Sequence, residues 1–254
     1  MTECTREIPG TLFYFVMLNL LTVGNTKLLK SKEFGYLSVG LSMLPHRIAD
    51  SKIDLCGGRS TPECRNHCLN ISGRQAINSI QASRKTKTLL YLKNRIEFMK
   101  KVDIEIKYYT ALAKQEKKGL TARMNMFTDI DHSKIKWDGR SIYEHNPLVQ
   151  FIEYTKHYKR KSKLTNLHIT YSYDQRYHEE AMEVLKRGDN LAVIYTKEIP
   201  ETLWGYKCIN GDLSDLRMLD QKNVCVMLKW KNVTVKGSNN AELKKSIDIR
   251  ELII

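Results

Sequence analysis

Residues 167–195, LHITYSYDQRYHEEAMEVLKRGDNLAVIY, decide the fold of this chain. The stretch begins with a β-prone run (Leu167–Tyr173) and continues with a helical pattern (Gln175–Arg187) that ends before Gly188. A second β-prone run (Asn190–Tyr195) follows. A glycine directly after a helical pattern is a common stop signal. A strand, a helix and another strand in this order predict a crossover unit, which is typical of a mostly parallel sheet.

Similar patterns extend outward from this stretch. Short β-prone runs occur at 13–21, 36–44, 122–127, 149–154, 206–209 and 224–228. Helical periodicity covers the region from Arg74 to Gly119, with Gly119 as the expected stop. The interval between Val149 and Leu167 is short for a full crossover helix, which argues against a complete regular barrel.

The sequence therefore predicts one α/β domain over residues 1–254, built on a mostly parallel sheet that forms a partial or irregular α/β barrel of the TIM type. Residues 1–73 are expected to supply N-terminal strands and a cysteine loop, and residues 74–119 a helical part. Residues 120–254 are expected to alternate strands and helices. No stretch rich in proline, glycine or serine divides the chain.

The formal charge of +14 at pH 7 favours contact with a polyanion, of which nucleic acid is the commonest in a cell. Basic residues are densest at Lys156–Lys163. A lysine-rich surface that only keeps the protein soluble is the alternative explanation, because no aromatic residues alternate with the basic ones.

The apolar run Leu12–Leu21 is too short to span a bilayer and contains Asn19. It also lacks the basic start and the cleavage site of a signal peptide, so we interpret it as a buried element and expect no membrane partner. The six cysteines are too few for a disulfide scaffold, and their clustering favours a reducing compartment. We expect the protein in the cytoplasm.

Three of those cysteines, Cys56, Cys64 and Cys68, lie within thirteen residues of one another, in a stretch that contains Gly57, Gly58 and Pro62. The glycines and the proline predict a loop in its first half. Several thiols in one loop suit a soft metal ion or an iron–sulfur cluster. The alternatives are that the cysteines are small buried side chains, or that two of them form a disulfide.

Polar residues lie within or follow several of the predicted strands. Because parallel sheets place their sites at the carboxyl ends of strands, these residues are expected to surround one pocket that binds a small-molecule cofactor or a substrate. The group consists of Asn125, Asp129, Tyr154, Lys156 and Ser172.

A second polar stretch, Asn210–Arg217, lies between two predicted strands. Asp212 and Asp215 are candidates to bind a cation or a ribose, and Arg217 a phosphate or a carboxylate. A turn in which Asp215 and Arg217 pair with each other is the structural alternative.

The chain resembles a family of uncharacterised bacteriophage proteins called gene product 88. The resemblance covers most of the chain, and it implies a phage origin but no established activity. It rests on Gly24–Leu28, the Cys56/Cys64/Cys68 loop, Gly73–Arg74, Ala82–Arg84, Arg123–Asn125, Thr128–Ile130, Tyr154–Lys156, Gly211–Asp212 and Asp215–Arg217.

More loosely, the cysteine loop resembles those of barrel-fold radical S-adenosylmethionine enzymes, in which three thiolates hold a four-iron (4Fe–4S) cluster. Those enzymes have three residues and then two between their cysteines, whereas this chain has seven and then three. The resemblance implies that Cys56, Cys64 and Cys68 are cluster ligands. It also implies that Asn125, Ser172 and the Asp212–Arg217 stretch contact the cofactor or the substrate.

Three functions are consistent with the sequence. The first is an iron–sulfur enzyme acting on nucleotides or nucleic acid, with S-adenosylmethionine as cofactor. The second is a nucleic-acid-binding protein without catalytic activity, stabilised by zinc on the same cysteines with His67 or His46 as the fourth ligand. The third is a metal-free protein that acts through protein contacts. The chain lacks a serine–histidine–acid triad, a phosphate-binding glycine loop and paired metal-binding histidines, so no motif indicates a hydrolase or a nucleoside triphosphatase.

Overall fold

A nine-stranded sheet forms the centre of the part of the chain that the structure describes. The structure is a computed structural model, and it describes residues 19–24, 26–45, 54–59, 64, 68–71 and 73–230. The strands in chain order are β1 (Leu21–Thr22), β2 (Tyr36–Leu41), β3 (Gly119–Arg123), β4 (Lys136–Trp137), β5 (Arg140–Ser141), β6 (Gln150–Thr155), β7 (Leu167–Ser172), β8 (Asn190–Tyr195), β9 (Thr202–Leu203), β10 (Tyr206–Asn210) and β11 (Cys225–Lys229). All of them except the β4–β5 hairpin belong to the large sheet.

The order of strands across the sheet is β1-β2-β3-β6-β7-β8-β11-β10-β9. The seven strands β2, β3, β6, β7, β8, β11 and β10 run parallel to one another in this order. The edge strand β1 is antiparallel to β2, and the edge strand β9 is antiparallel to β10. Most adjacent strands of this sheet also follow one another in the chain, as the strands of α/β barrels do. Among the described residues, however, β1 and β9 each pair with one strand, so the sheet is open. The predicted α/β class and mostly parallel sheet are confirmed, and the predicted partial or irregular barrel of the TIM type is not.

Two long helices pack against one face of the sheet. These helices are α2 (Asn78–Lys93) and α3 (Arg95–Gln115), and a short helix, α1 (Thr26–Lys30), precedes them in the chain. Asn94 caps the N-terminus of α3, where its side chain accepts the N–H of Glu97 at 3.1 Å. Phe98, Met99 and Val102 of α3 recur on one side of the helix and enter the main core.

Gly119 is not the helix stop that the periodicity predicts. α3 ends at Gln115, and Gly119 is the first residue of β3. A Cβ at this position would lie 2.6 Å from the ring of Tyr36 on β2. Close packing between two strands, not helix termination, therefore accounts for this glycine.

The remaining connections are short. α4 (Ile142–His145) precedes β6, and α5 (His178–Lys186) joins β7 to β8. Residues 156–166, between β6 and β7, contain no helix, as the short interval predicts. The predicted strand at 13–21 lies outside the described residues except for its last three positions, of which Leu21 belongs to β1. None of the helices within the described ranges has both the length and the apolarity needed to cross a membrane.

The two faces of the sheet differ in chemistry. Leu120, Ala122 and Phe151 join the apolar core beneath the helices. The opposite face, called the inner face below, carries polar groups such as the hydroxyls of Ser38 and Thr121, whose oxygens are 2.5 Å apart. Residues 217–219 form a short 3₁₀ turn that packs on β6 and β7.

Candidate cysteine site at the strand ends

The described part of the cysteine segment lies against the residues that follow β3 and β6. The N–H of Asp129 donates to the carbonyl of Leu55 at 2.9 Å, and the Cys56 thiol donates to the carbonyl of Phe127 at 3.8 Å. Gly57 has a φ of +64° and lies so close to His157 that any Cβ would overlap its imidazole. The segment therefore occupies the edge of the sheet where α/β proteins place their sites.

Cys68 lies among charged groups. Burial raises the pKa of its thiol, and Cys64 raises it further. The N–H of Asn70 and the positive charges of Arg84 and Lys156 act in the opposite direction. Cations beside neighbouring thiols favour the thiolate, which is the form that binds metal and attacks electrophiles.

Arg84 connects this segment to the helices and to the strand ends. Its guanidinium donates to the Ser42 hydroxyl at 2.9 Å, to the Asn70 side-chain oxygen at 2.6 Å and to the side-chain oxygen of Gln75. It also stacks over the ring of Phe127, 4.1 Å from the ring centre. Burial lowers the pKa of Arg84 to about 10, and the nearby Cys68 opposes that shift. This buried arginine thus holds the end of the cysteine segment in place.

Asn125 shapes the loop after β3. Its side-chain oxygen accepts from the Thr128 hydroxyl at 2.8 Å and from the N–H of Ile130 at 3.0 Å, and its nitrogen donates to the Ile130 carbonyl at 2.8 Å. The side chain is buried, and these bonds stay within residues 125–130. In this arrangement Asn125 orients the loop that presents Asp129.

Asp129 is the acidic group of the site. Its Oδ2 accepts the N–H of Lys156 at 2.8 Å and lies 4.0 Å from Nε2 of His157. Its Oδ1 is buried and accepts no hydrogen bond from the described residues. Burial raises the pKa of Asp129, against the N–H of Lys156, the hydroxyl of Thr155 and the charges of His157 and Arg160. A buried carboxylate oxygen without a donor is suited to receive one from a ligand.

Lys156 pairs with Asp174, which follows β7. Its Nζ lies 3.2 Å from Asp174 Oδ2, and Arg176 binds the same carboxylate at 2.8 Å. Burial alone would raise the pKa of Asp174, but Arg176 and Lys156 hold it at about 2. The strand ends of β6 and β7 are thereby joined by a charged pair. Ser172, at the end of β7, contributes its carbonyl, which accepts the Tyr158 hydroxyl at 2.8 Å.

The other predicted residues form a second group on the inner face. Tyr154 donates to Asp215 Oδ1 at 3.4 Å, and Arg123 lies over the Tyr154 ring, 4.6 Å from its centre. Arg123 also pairs with Asp215 at 2.8 Å. The pKa of the Tyr154 hydroxyl is raised, mainly by burial and then by Asp215.

Asp212 and Arg217 are used within the crossover between β10 and β11. Asp212 Oδ2 accepts the N–H of Lys229 at 2.7 Å, and its carbonyl accepts Lys30 Nζ at 2.9 Å. Arg217 is buried, donates to the Ser214 carbonyl at 2.7 Å and lies 3.2 Å from Asp220. Asp215 therefore pairs with Arg123, and Arg217 with Asp220. The backbone N–H of Arg217 also donates to the carbonyl of Asp215 at 2.9 Å, as in a turn.

The sequence-predicted residues thus fall into two sets. Asn125, Asp129, Lys156 and Ser172 lie at the strand ends, and Tyr154, Asp215 and Arg217 lie on or against the inner face. Asp212 belongs to neither set, because it binds Lys229 and Lys30 at the start of the crossover. Three partners were not among the predicted site residues: Arg84, Arg123 and Asp174. Arg84 and Arg123 do lie in segments that carry the family resemblance, but nothing in the sequence assigns their contacts.

Across the described part of the chain, no three His, Cys, Asp or Glu side chains are grouped closely enough to hold a metal ion. His46 and His67, the predicted fourth ligands for zinc, lie outside the described residues. The donor chemistry nevertheless suits a soft metal, since Cys64 and Cys68 interact beside two cations.

Comparison with known proteins gives one match. The model of a protein family described as Gene product 88 matches residues 19–245. No curated protein and no solved structure matches the chain. The matched range includes all three cysteines, the strand-end residues and the crossover that carries Asp215. Because it spans well over half of the chain, the protein belongs to the gene product 88 family of phage proteins.

Proposed function

We propose that the protein is an iron–sulfur enzyme whose cluster is held by Cys56, Cys64 and Cys68. The position of the cysteine segment carries the proposal. The segment follows β2, the first of the parallel strands, and lies against the loop after β3 and against His157 after β6. A cluster there would face substrates bound over the strand ends.

Asp129 and Lys156 are the strand-end side chains best suited to a bound cofactor such as S-adenosylmethionine. Asp129 offers an acceptor oxygen for an ammonium group, and Lys156 offers a donor for a carboxylate. A reduced cluster would supply an electron to that cofactor. Asn125 would act by orienting the loop of Asp129. Ser172 would act through its carbonyl, which holds the Tyr158 hydroxyl at the end of β7. The inner-face group around Asp215 would support the sheet from the opposite side.

The proposal includes the host cytoplasm as the place of action. Three thiols that must remain reduced to hold a cluster require a reducing compartment. Nucleotides or nucleic acid are the proposed substrates, because the net charge of +14 favours polyanions.

The test is metal and sulfide analysis, with a visible absorption spectrum, on protein purified without oxygen. We expect iron, acid-labile sulfide and a brown chromophore in the wild type. All three should disappear when Cys56, Cys64 and Cys68 are replaced together with alanine. The matched control replaces Cys4 and Cys208, which lie outside the segment, and should retain them. Equal loss in both variants would refute the cluster assignment.

A second candidate function is nucleic-acid binding without catalysis, and a basic groove favours it. Two adjoining depressions of about 230 and 550 Å³ share Lys136 in their walls. Glu144 is the one acidic residue that lines them, and it is engaged by the N–H and the hydroxyl of Ser141. The exposed cations of this basic groove are Lys93, Arg95, Lys134, Lys136, Lys161 and Lys163.

Exposed cations that line open depressions are suited to contact the phosphates of a single strand of nucleic acid. In this candidate, zinc on the three cysteines would stabilise the fold. One zinc per chain and no colour in the analysis above would favour it over the iron–sulfur enzyme.

Its own test is fluorescence anisotropy with a short single-stranded oligonucleotide over a salt series. Replacing Lys136 and Lys163 with alanine should weaken binding and reduce the slope of log affinity against log salt by roughly 1–2. The matched control replaces Lys197 and Lys222, which are exposed but do not line the groove, and should change the slope less. Binding that does not change with salt would exclude this mode.

A further inference from the structure

Two cysteines outside the candidate site face each other across neighbouring strands. Cys208 of β10 and Cys225 of β11 are direct register partners in a parallel pair. Their thiols are close enough for each to shift the pKa of the other, and the Cys225 thiol donates to the carbonyl of Leu203 at 3.8 Å. Paired strands are about 4.8 Å apart, which lies within the range of Cα separations that a disulfide accepts.

The two thiols differ in access. Cys208 is partly exposed, whereas Cys225 is completely buried. Burial, and then the neighbouring Cys208, raise the pKa of Cys225 to about 12. Burial also raises the pKa of Cys208, but its hydrogen bond with Cys225 opposes that shift. Cys208 is therefore the thiol that ionises first and that a small oxidant can reach.

We propose that Cys208 and Cys225 are a redox-active pair that a low-molecular-weight disulfide, such as oxidised glutathione, converts into a cross-strand disulfide. The Cys208 thiolate attacks one sulfur of oxidised glutathione, forms a mixed disulfide and releases one glutathione thiolate. Cys225 then loses its proton, attacks the Cys208 sulfur and releases the second glutathione. The protein loses two electrons and two protons, and one glutathione disulfide becomes two glutathione thiols.

The bond would connect both ends of the crossover between β10 and β11. That crossover carries Asp215 and Arg217. Asp215 pairs with Arg123, and Arg217 pairs with Asp220. Oxidation would therefore restrain the segment that supports the inner face. The pair is independent of the cysteine segment at the strand ends and of the proposed cluster.

The test uses the fact that trypsin places each of the six cysteines in a separate peptide. Cys208 lies in 208–217 and Cys225 in 223–229. After incubation of the folded protein with excess oxidised glutathione, mass spectrometry should find these two peptides linked, with the loss of two hydrogen atoms. Dithiothreitol should separate them again, and raising the pH from 7 to 9 should accelerate the linkage, as ionisation of a thiol near this range predicts.

Two variants separate the roles of the thiols. Cys225→Ala should stop at a stable mixed disulfide on Cys208, whereas Cys208→Ala should leave Cys225 unmodified. The peptide map of the wild-type protein tests for the disulfide directly, so the proposal can be refuted even if a variant fails to fold. Failure to find the 208–217/223–229 linkage after prolonged incubation would overturn the proposal. So would a wild-type protein in which glutathione remains attached to Cys208.

Discussion

Replacing Arg84 with methionine removes the side chain that joins α2 to the cysteine segment, and we expect the protein to lose about 2–4 kcal/mol of stability. The guanidinium donates to the side chains of Ser42, Asn70 and Gln75, and each bond to a charged donor contributes about 1.5–3 kcal/mol. Burial of the charge opposes this gain. The fall of the pKa from 12.5 to about 10 corresponds to roughly 3 kcal/mol. The net value is the balance of these two effects.

The assay is urea unfolding followed by tryptophan fluorescence and by circular dichroism. Lys85→Met is the matched control, because Lys85 is the exposed neighbour of Arg84 on the same helix and should change stability by less than about 0.5 kcal/mol. Arg84→Lys keeps the charge but loses the planar group that binds three side chains, so its loss should be intermediate.

Arg84 also lowers the pKa of Cys68. Alkylation of the tryptic peptide 66–74, which contains Cys68, should therefore be slower in Arg84→Met than in Arg84→Lys at the same pH, since the thiolate is the reacting form. The reasoning is refuted if Arg84→Met is as stable as Lys85→Met. It is also refuted if Cys68 reacts equally fast in the two Arg84 variants.

Two further predictions concern a buried histidine and a glycine pair. Burial, and then the charge of Arg160, lower the pKa of His132 to about 3. Between pH 6.5 and pH 3 this histidine is therefore protonated in the unfolded chain but stays neutral in the folded protein. The contribution of this group to stability should therefore be complete above pH 6.5 and fall below it. Between pH 7 and pH 4, His132→Gln should avoid about 3 kcal/mol of that loss. Parallel curves of unfolding free energy against pH for the two proteins would contradict this. Gly57 and Gly58 both have positive φ, but only Gly57 lies against His157. Alanine at either position should cost roughly 1–2 kcal/mol from backbone strain, and at Gly57 about 1 kcal/mol or more in addition; equal losses in urea unfolding would show that the cysteine segment does not rest on His157.

The local pattern of the sequence predicts most of the described strands to within a few residues. β8 has the predicted bounds, and β6, β7, β10 and β11 differ from theirs by a residue or so. The predicted run at 122–127 fits less well, because β3 ends at Arg123 and the following residues turn around Asn125. The two-residue strands β4, β5 and β9 correspond to no predicted run. A run of apolar residues shows that a segment is buried, but it does not show where the backbone leaves the sheet.

Nor does the sequence reveal the order in which the strands lie. The insertion of β11 between β8 and β10 depends on the crossover at 211–224 returning across the inner face, where residues 217–219 pack on β6 and β7. The same crossover brings Asp215 to Arg123, residues that are 92 positions apart in the chain. The partial or irregular barrel was predicted from alternating strands and helices, but that alternation is common to open sheets and barrels and does not distinguish them.

By itself, then, the sequence determined the α/β class, the parallel crossovers, the basic charge and the clustering of three cysteines before the helices. Those features depend on residue type and on spacing along the chain, which local propensity and hydrophobic periodicity can reveal. Only the tertiary structure decided that the polar strand-end residues divide between two faces, and that Asp215 pairs with Arg123 and Lys156 with Asp174. It also decided that Arg84 binds the end of the cysteine segment. It also placed Cys208 beside Cys225. These outcomes depend on strand order and register, which arise from contacts between residues far apart in the sequence, and no local pattern records which distant residues will meet.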